Sequence, residues 1–396
     1  MTTSGRVNRQ IVLRSLIRGE PTREHFAQVE TAVPEPAAGE MLVRNLYFSL
    51  EPAIRGWLEG KTNYFPPVPI GGVIRGPTAG RIISSNVVGF QVGELVFGLN
   101  RWEDYSLVRA DTILLEKIHC EPGTPLSHHL GALGGSGQTA YVGLHEIGHI
   151  KPGQTVVVSA AAGAVGSVAG QIARLRGCKV IGIVGSAVKA RLLTEQLGFH
   201  SAVNYRETLD LTVAVTAQAP EGVDVYFDNV GGATLNAMLP TLKPRGRIVA
   251  CGMISDYNRS DAPYPITNLW QIVARQLTMQ GFLLFTYDSL RPAARAQLAT
   301  EGQLAEDGPA IDALRRHLAA GDEQSARRRE VVARPRLREV RGREVDGDAP
   351  VRELEAGVAH GGVHALARLP NGRVAAADDG ESGKAGAQID LDGDPA

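Results

Sequence analysis

Apolar positions along the chain follow one pattern before about residue 150 and another after it. Up to about residue 127, short apolar runs alternate with Gly and Pro turns, as in residues 41–46 (MLVRNL), 80–83 (GRII) and 94–98 (ELVFG). Short runs broken this often by turn residues predict an antiparallel, barrel-like β domain. From about 153 to 285, strand-like runs alternate with helical stretches. TVVVS (155–159), KVIGIV (179–184), SAVN (201–204), VDVYFD (223–228), RIVAC (247–251) and LTMQGFLL (277–284) predict about six strands. Helices ending near 177 and 197 separate the first three. Continuous apolar runs call for cover on both faces, which predicts a doubly wound parallel sheet.

A third pattern begins at residue 301. The last aromatic residue is Tyr287, and residues 301–396 contain no Phe, Trp, Tyr, Met or Cys and one Lys, Lys384. Arg, Ala, Gly, Asp and Glu dominate there. Such a segment buries too little apolar surface to offset the entropy of ordering, so a disordered tail is expected. A short helix is expected at 311–320, where Ile311, Leu314 and Leu318 recur at helical spacing. The organisation read from these patterns is an α/β chain. It has a barrel-like domain at 1–127, a doubly wound domain at 128–300 and a tail at 301–396.

Composition then narrows the function classes. With 41 Lys+Arg against 42 Asp+Glu, the chain lacks the basic surplus of a dedicated nucleic-acid binder. No window approaches the roughly 18 apolar residues of a membrane span, and the N-terminus lacks the apolar core of a secretory signal. Cys120, Cys178 and Cys251 are too few and too scattered for a disulfide framework or a four-thiolate zinc site. A cytoplasmic protein without nucleic-acid or membrane partners is expected.

The chemistry starts at the first predicted βα turn. AAAGAVGSVAG (160–170) places Gly163, Ala164, Val165 and Gly166 between a strand and a helix. Glycines there allow a tight turn and close approach of a pyrophosphate, whose charge meets free N–H groups at the helix start. A G-x-x-G pattern is weak alone; within a repeating strand–helix series it predicts dinucleotide binding. An NAD site usually carries Asp or Glu at the end of the second strand. Here the residues are Gly185, Ser186, Ala187, Val188 and Lys189, and a cation suits the 2′-phosphate of NADP(H).

Several segments in order carry a family resemblance: NRQIVL, LVRNLYFSLEPAIRG, VFGLNRWEDYSLV, the 160–186 stretch, VYFDNVGG and CGMISDYN. Together, from about Asn8 to Tyr287, they resemble the zinc-independent medium-chain dehydrogenase/reductases. The branch is the one holding the alkenal double-bond, prostaglandin and curcumin reductases. The resemblance implies a GroES-like β-barrel domain, a Rossmann nucleotide-binding domain and a homodimer. It also implies that Gly163–Gly166 hold the pyrophosphate, and that Ser186, Lys189 and Tyr205 surround the 2′-phosphate. Asn229, Cys251 and Gly252 are implied at the ribose and nicotinamide, Phe282 beside the nicotinamide pocket, and Tyr257 as the catalytic residue.

The implied reaction is NADPH-dependent reduction of the C=C bond of α,β-unsaturated aldehydes or ketones. The hydride goes to the β-carbon and the proton to the α-carbon, without a metal. Zinc-dependent relatives carry a glycine-His-Glu segment early in the chain, whereas residues 70–83 (IGGVIRGPTAGRII) have no His or Glu. His145, Glu146 and His149 are expected to be helix residues. A zinc-free alcohol or allylic-alcohol dehydrogenase and a catalytically weak NADPH-binding protein are the alternatives. Two features depart from the family. Glu51-Pro52-Ala53-Ile54-Arg55 has Ala53 where a tyrosine commonly lines the substrate pocket, and no segment after Thr300 resembles the family's return to the barrel.

Overall fold

A computed structural model describes residues 7–120, 124–259 and 262–306, together with three short strands beyond them. Strand β1 (Val7–Leu13) pairs antiparallel with β2 (Phe26–Ala32). Strands β3 (Glu40–Leu50), β4 (Arg75–Ser85), β5 (Leu95–Arg101) and β7 (Glu116–Ile118) lie side by side, and β6 (Tyr105–Arg109) pairs with the free edge of β3. The chain leaves β3 into α1 (Pro52–Arg55), a single turn with proline at its start, where the missing N–H costs nothing.

Helix α2 (Gly135–Val142) and a following π-turn lead into the second sheet. Its strands are β8 (Thr155–Val158), β9 (Lys179–Val184), β10 (Ser201–Asn204), β11 (Val223–Asp228), β12 (Leu242–Ala250) and β13 (Thr278–Gly281). All pair in parallel in the order β10-β9-β8-β11-β12-β13, the doubly wound arrangement that the apolar runs predict. Successive side chains alternate between faces. Val156 and Val158 join one core with Val225 and Phe227, while Val157 joins the opposite core with Ile181 and Tyr226. The crossover helices are α3 (Ala164–Leu175), α4 (Ala187–Arg191), α5 (Leu211–Gln218) and α6 (Gly232–Met238), with α7 (Trp270–Ala274) before β13.

Two strand expectations shift. The fifth starts earlier, because Leu242 already pairs with Val223 ahead of a register shift. The sixth stops at Gly281, opposite Ala250, where its neighbour β12 ends. Lacking a strand to pair with, the chain turns away at Phe282 and Leu283, and a 3₁₀ helix (Leu284–Leu290) follows. His149 also departs from expectation: the helical turn closes at Gly148, and His149 stands beyond it with φ +45°.

Helix α8 (Arg291–Glu306) returns towards the first sheet. Buried Arg291 donates to Gln138 at 2.9 Å and pairs with Glu116 at 3.0 Å and Asp288 at 3.0 Å, so one guanidinium joins α2, β7 and α8. Beyond Glu306 the described residues form β14 (Leu354–Ala356), β15 (Ala365–Arg368) and β16 (Ala387–Ile389). Strand β15 runs antiparallel to β3 opposite Tyr47–Leu50, giving that edge a partner the sequence did not predict. The helix expected at 311–320 and the rest of the expected tail lie outside the described residues.

Candidate active site

Strands β8 and β11 are neighbours in space, yet their following crossovers run to opposite sides of the sheet. The crevice at their C-terminal ends is where such sheets receive ligands. Here a cavity of about 230 Å³ opens, lined from this side by Ala160, Val165, Gly166, Asn229, Cys251, Gly252, Ile254, Tyr257 and Phe282.

The glycine turn has a geometric origin. Ala160 adopts φ +46°, and a Cβ at Gly166 would stand 2.3 Å from the Ala160 carbonyl oxygen. Gly163 caps α3 without a side chain, so no side chain occupies the first-turn N–H groups. That donor set, at the positive end of a twelve-residue helix, suits a pyrophosphate. At the end of β9, Ser186 caps α4 and accepts from the Lys189 amide at 3.3 Å. Tyr205 follows β10; its ring would lie 3.1 Å from a Cβ at Gly185, and the Arg206 guanidinium stands 5.9 Å from the ring centroid. No carboxylate stands between Gly185 and Lys189, and the residues fit a phosphorylated ribose.

Buried Asp228 organises the next strand end. It accepts from the Tyr226 hydroxyl at 2.7 Å, the Ser159 hydroxyl at 3.0 Å, and the Val230 and Gly231 amides at 3.0 Å each. Burial raises the Asp228 carboxyl, and these four donors oppose the rise. Asn229 is held by Ser159 twice, its amide to the Ser159 hydroxyl at 2.9 Å and its side chain to the Ser159 carbonyl at 2.8 Å. Burial and the charge of Asp228 push the Cys251 thiol up to about 12, so it is no nucleophile at neutral pH. Burial also raises the Tyr257 phenol, leaving a neutral hydroxyl donor in the cavity.

The opposite wall comes from the antiparallel lobe. Pro52 and Ala53 of α1, with Trp57, Tyr64, Phe65 and Leu99, face the strand ends. Phe65 and Phe285 stand 5.2 Å apart, Tyr64 and Phe285 6.1 Å, so the two lobes meet through aromatic rings. Burial and the neighbouring Tyr257 push the Tyr64 phenol up to about 12.

Of the sequence-predicted residues, Val165, Gly166, Asn229, Cys251, Gly252, Tyr257 and Phe282 line this cavity together. Gly163 and Ala164 stand in the same turn outside its lining, and Ser186, Lys189 and Tyr205 lie at the ends of β9 and β10. Sequence reasoning missed Ser159 and Asp228, whose signal was a polar residue closing an apolar strand run. It also missed Arg206, next to Tyr205. Half-buried His145 packs against Tyr141, with ring centroids 4.4 Å apart and planes tilted by 44°, rather than facing solvent. Among the described residues there is no group of three or more His, Cys, Asp or Glu side chains that could hold a metal ion, and no helix long and apolar enough to cross a membrane.

Comparison with known proteins defines the class. Residues 9–115 match the family described as the N-terminal domain of oxidoreductase, and residues 164–299 the one described as zinc-binding dehydrogenase. The chain is 39% identical over 290 residues to the NADP(+)-dependent 2-alkenal reductase of Nicotiana tabacum, covering 72% of this chain and 83% of that one. It is 40% identical over 281 residues to the NADPH-dependent curcumin reductase of Escherichia coli, covering 70% and 80%. The crystal structure of CurA in complex with NADPH from Vibrio vulnificus superposes with a TM-score of 0.69 at 38% identity, over 76% of this chain and 88% of that one. The chain belongs to the medium-chain dehydrogenase/reductase family, in the branch that includes these reductases.

Proposed function

We propose that the protein is an NADPH-dependent reductase of the C=C bond of α,β-unsaturated aldehydes or ketones. The observation that carries this reading is the cavity. An apolar, aromatic-walled space meets the glycine turn, Asn229 and the Tyr257 hydroxyl at the ends of four parallel strands. Its relatives include reductases named for 2-alkenal and curcumin. Gly163–Gly166 hold the pyrophosphate on the α3 N-terminus, and Lys189, with Ser186 and Tyr205, meets the 2′-phosphate. Asn229, Cys251, Gly252 and Phe282 border the nicotinamide end.

NADPH, when bound, supplies the hydride that adds to the β-carbon of the substrate. Tyr257 donates a hydrogen bond to the substrate oxygen, where negative charge develops, and its hydroxyl or a water protonates the α-carbon. That phenol is protonated at neutral pH, and burial raises it further, so it can donate. The apolar walls exclude water from the carbonyl and strengthen the hydrogen bond.

The division at about residue 127 and a cytoplasmic homodimer belong to the same reading. Edge strand β13 is exposed along its length, and Trp270 and Val273 beside it are 71% and 62% exposed. An open edge flanked by large apolar side chains suits pairing with a second copy. The test is NADPH consumption with a panel of enals and enones, with NADH and a chelator-treated sample alongside. Turnover with NADPH that yields the saturated carbonyl and survives chelation is expected. NADPH binding without turnover would reject the enzymatic reading, and alcohol–carbonyl interconversion would favour the dehydrogenase.

A further inference from the structure

We infer that Arg55 is a positioning residue: it clamps the 251–258 loop to α1 and so sets where the Tyr257 hydroxyl stands in the cavity. The inference rests on the role proposed above for Tyr257. Arg55 sits two residues after Ala53, which lines the cavity, and its side chain is 3% exposed. Its Nη2 donates to the Gly19 carbonyl at 2.9 Å and the Ile17 carbonyl at 3.4 Å. Nη1 lies 3.9 Å from Glu59. Its Nε donates to the side-chain oxygen of Asn258 at 3.1 Å, across 203 residues of chain.

Asn258 directly follows Tyr257. The start of that loop belongs to the parallel sheet: the Ile254 amide donates to the Asn229 carbonyl at 3.3 Å, and the Ser255 hydroxyl to the Val230 carbonyl at 2.7 Å. Its far end is held instead by the antiparallel lobe, through Arg55. A guanidinium is planar and rigid, so its two backbone carbonyl partners dictate the direction of Nε. Asn258 must come to that direction, and Tyr257 comes with it. A lysine could not serve the carbonyls and Asn258 from one point charge. The contact therefore joins the wall carrying Ala53 to the loop carrying Tyr257, on opposite sides of the same cavity.

Asn258 is the site to test, because removing buried Arg55 would unsettle α1. Asn258→Ala should lower kcat about tenfold, the cost of a small misplacement, with NADPH affinity unchanged. Asn258→Asp keeps an acceptor for Nε and should retain most of the activity. In a Tyr257→Phe background, Asn258→Ala should cause no further loss, since both act through one hydroxyl. Additive losses, or a Tyr257→Phe enzyme with full activity, would overturn the proposal. Hydrogen exchange supplies a readout independent of turnover. Amides of residues 253–258 should exchange faster in Asn258→Ala and at the native rate in Asn258→Asp. Unchanged exchange in Asn258→Ala would refute the clamp. Should the wild-type protein turn over no enone, the reductase reading falls, and exchange alone decides the clamp.

Discussion

The parallel sheet brings residues to the cavity from the ends of its strands, whereas the antiparallel lobe does so from α1 and the loop after it together with Pro77, Phe97 and Leu99 of β4 and β5. On the first side, Asn229 and Cys251 each follow directly on a paired strand, and Asp228 is held by four donors. On the second side, Ala53, Trp57, Tyr64 and Phe65 are held by ring contacts and by Arg55. Strand ends in a buried sheet cannot shift without breaking a ladder, and they suit a cofactor whose shape does not vary. A helix turn and an aromatic loop can change side chains without disturbing a ladder, and they suit substrates that vary.

The largest expected effect breaks the rigid side. Gly166→Val drives a side chain into the Ala160 carbonyl and should abolish NADPH binding, read by quenching or transfer of protein fluorescence, while circular dichroism stays native. Next comes Asp228→Ala, which strands the Tyr226 and Ser159 hydroxyls and two amides. Unsatisfied buried donors cost about 1–3 kcal/mol each before relaxation, so stability should fall by roughly 3 kcal/mol in denaturant unfolding. Asp228→Asn, which keeps an acceptor, should lose less.

Smaller effects separate the two ends of the cofactor and then the two walls. Lys189→Ala should weaken NADPH about tenfold, or about 1.4 kcal/mol, and leave NADH unchanged in a titration. Ala53→Tyr should raise KM for bulky enones by a few-fold, with NADPH affinity untouched, because α1 faces the substrate alone. If NADPH affinity moves as well, the division of labour between the sides is wrong. A separate effect, on stability and not on binding, concerns acid. Burial lowers His129 and His145 from the usual 6.5 to about 4, so the folded state prefers the neutral rings. Their contribution is complete above pH 6.5 and is lost as pH falls from 6.5 towards 4. Thermal midpoints should drop across that window, and His129→Leu should flatten the drop.

The legible part of the site and the hidden part follow the same division. Gly163 and Gly166 could be read from the chain because they sit where an apolar run ends and a helix begins, whereas Asn229 and Cys251 were implied by the family resemblance. Strand pairing turns that position into a place in space. Lys189 was legible for the same reason, as the cation near the end of the second strand. The cavity's aromatic wall was not: Trp57, Tyr64 and Phe65 have no period, and their composition suits a barrel core as well as a pocket. Asp228 reads as one more polar residue at a strand end until the fold wraps Ser159, Tyr226 and two amides around it.

Apolar periodicity, glycine spacing and the missing carboxylate after the second strand determined the doubly wound sheet, its cofactor turn and the preference for a phosphorylated nucleotide. These are local properties, expressed within one strand, turn or helix. Tertiary structure alone decided the bond between Arg55 and Asn258, the meeting of Phe65 with Phe285 and the pairing of β15 along β3. Each joins residues far apart in sequence, and only the folded chain brings such partners within reach.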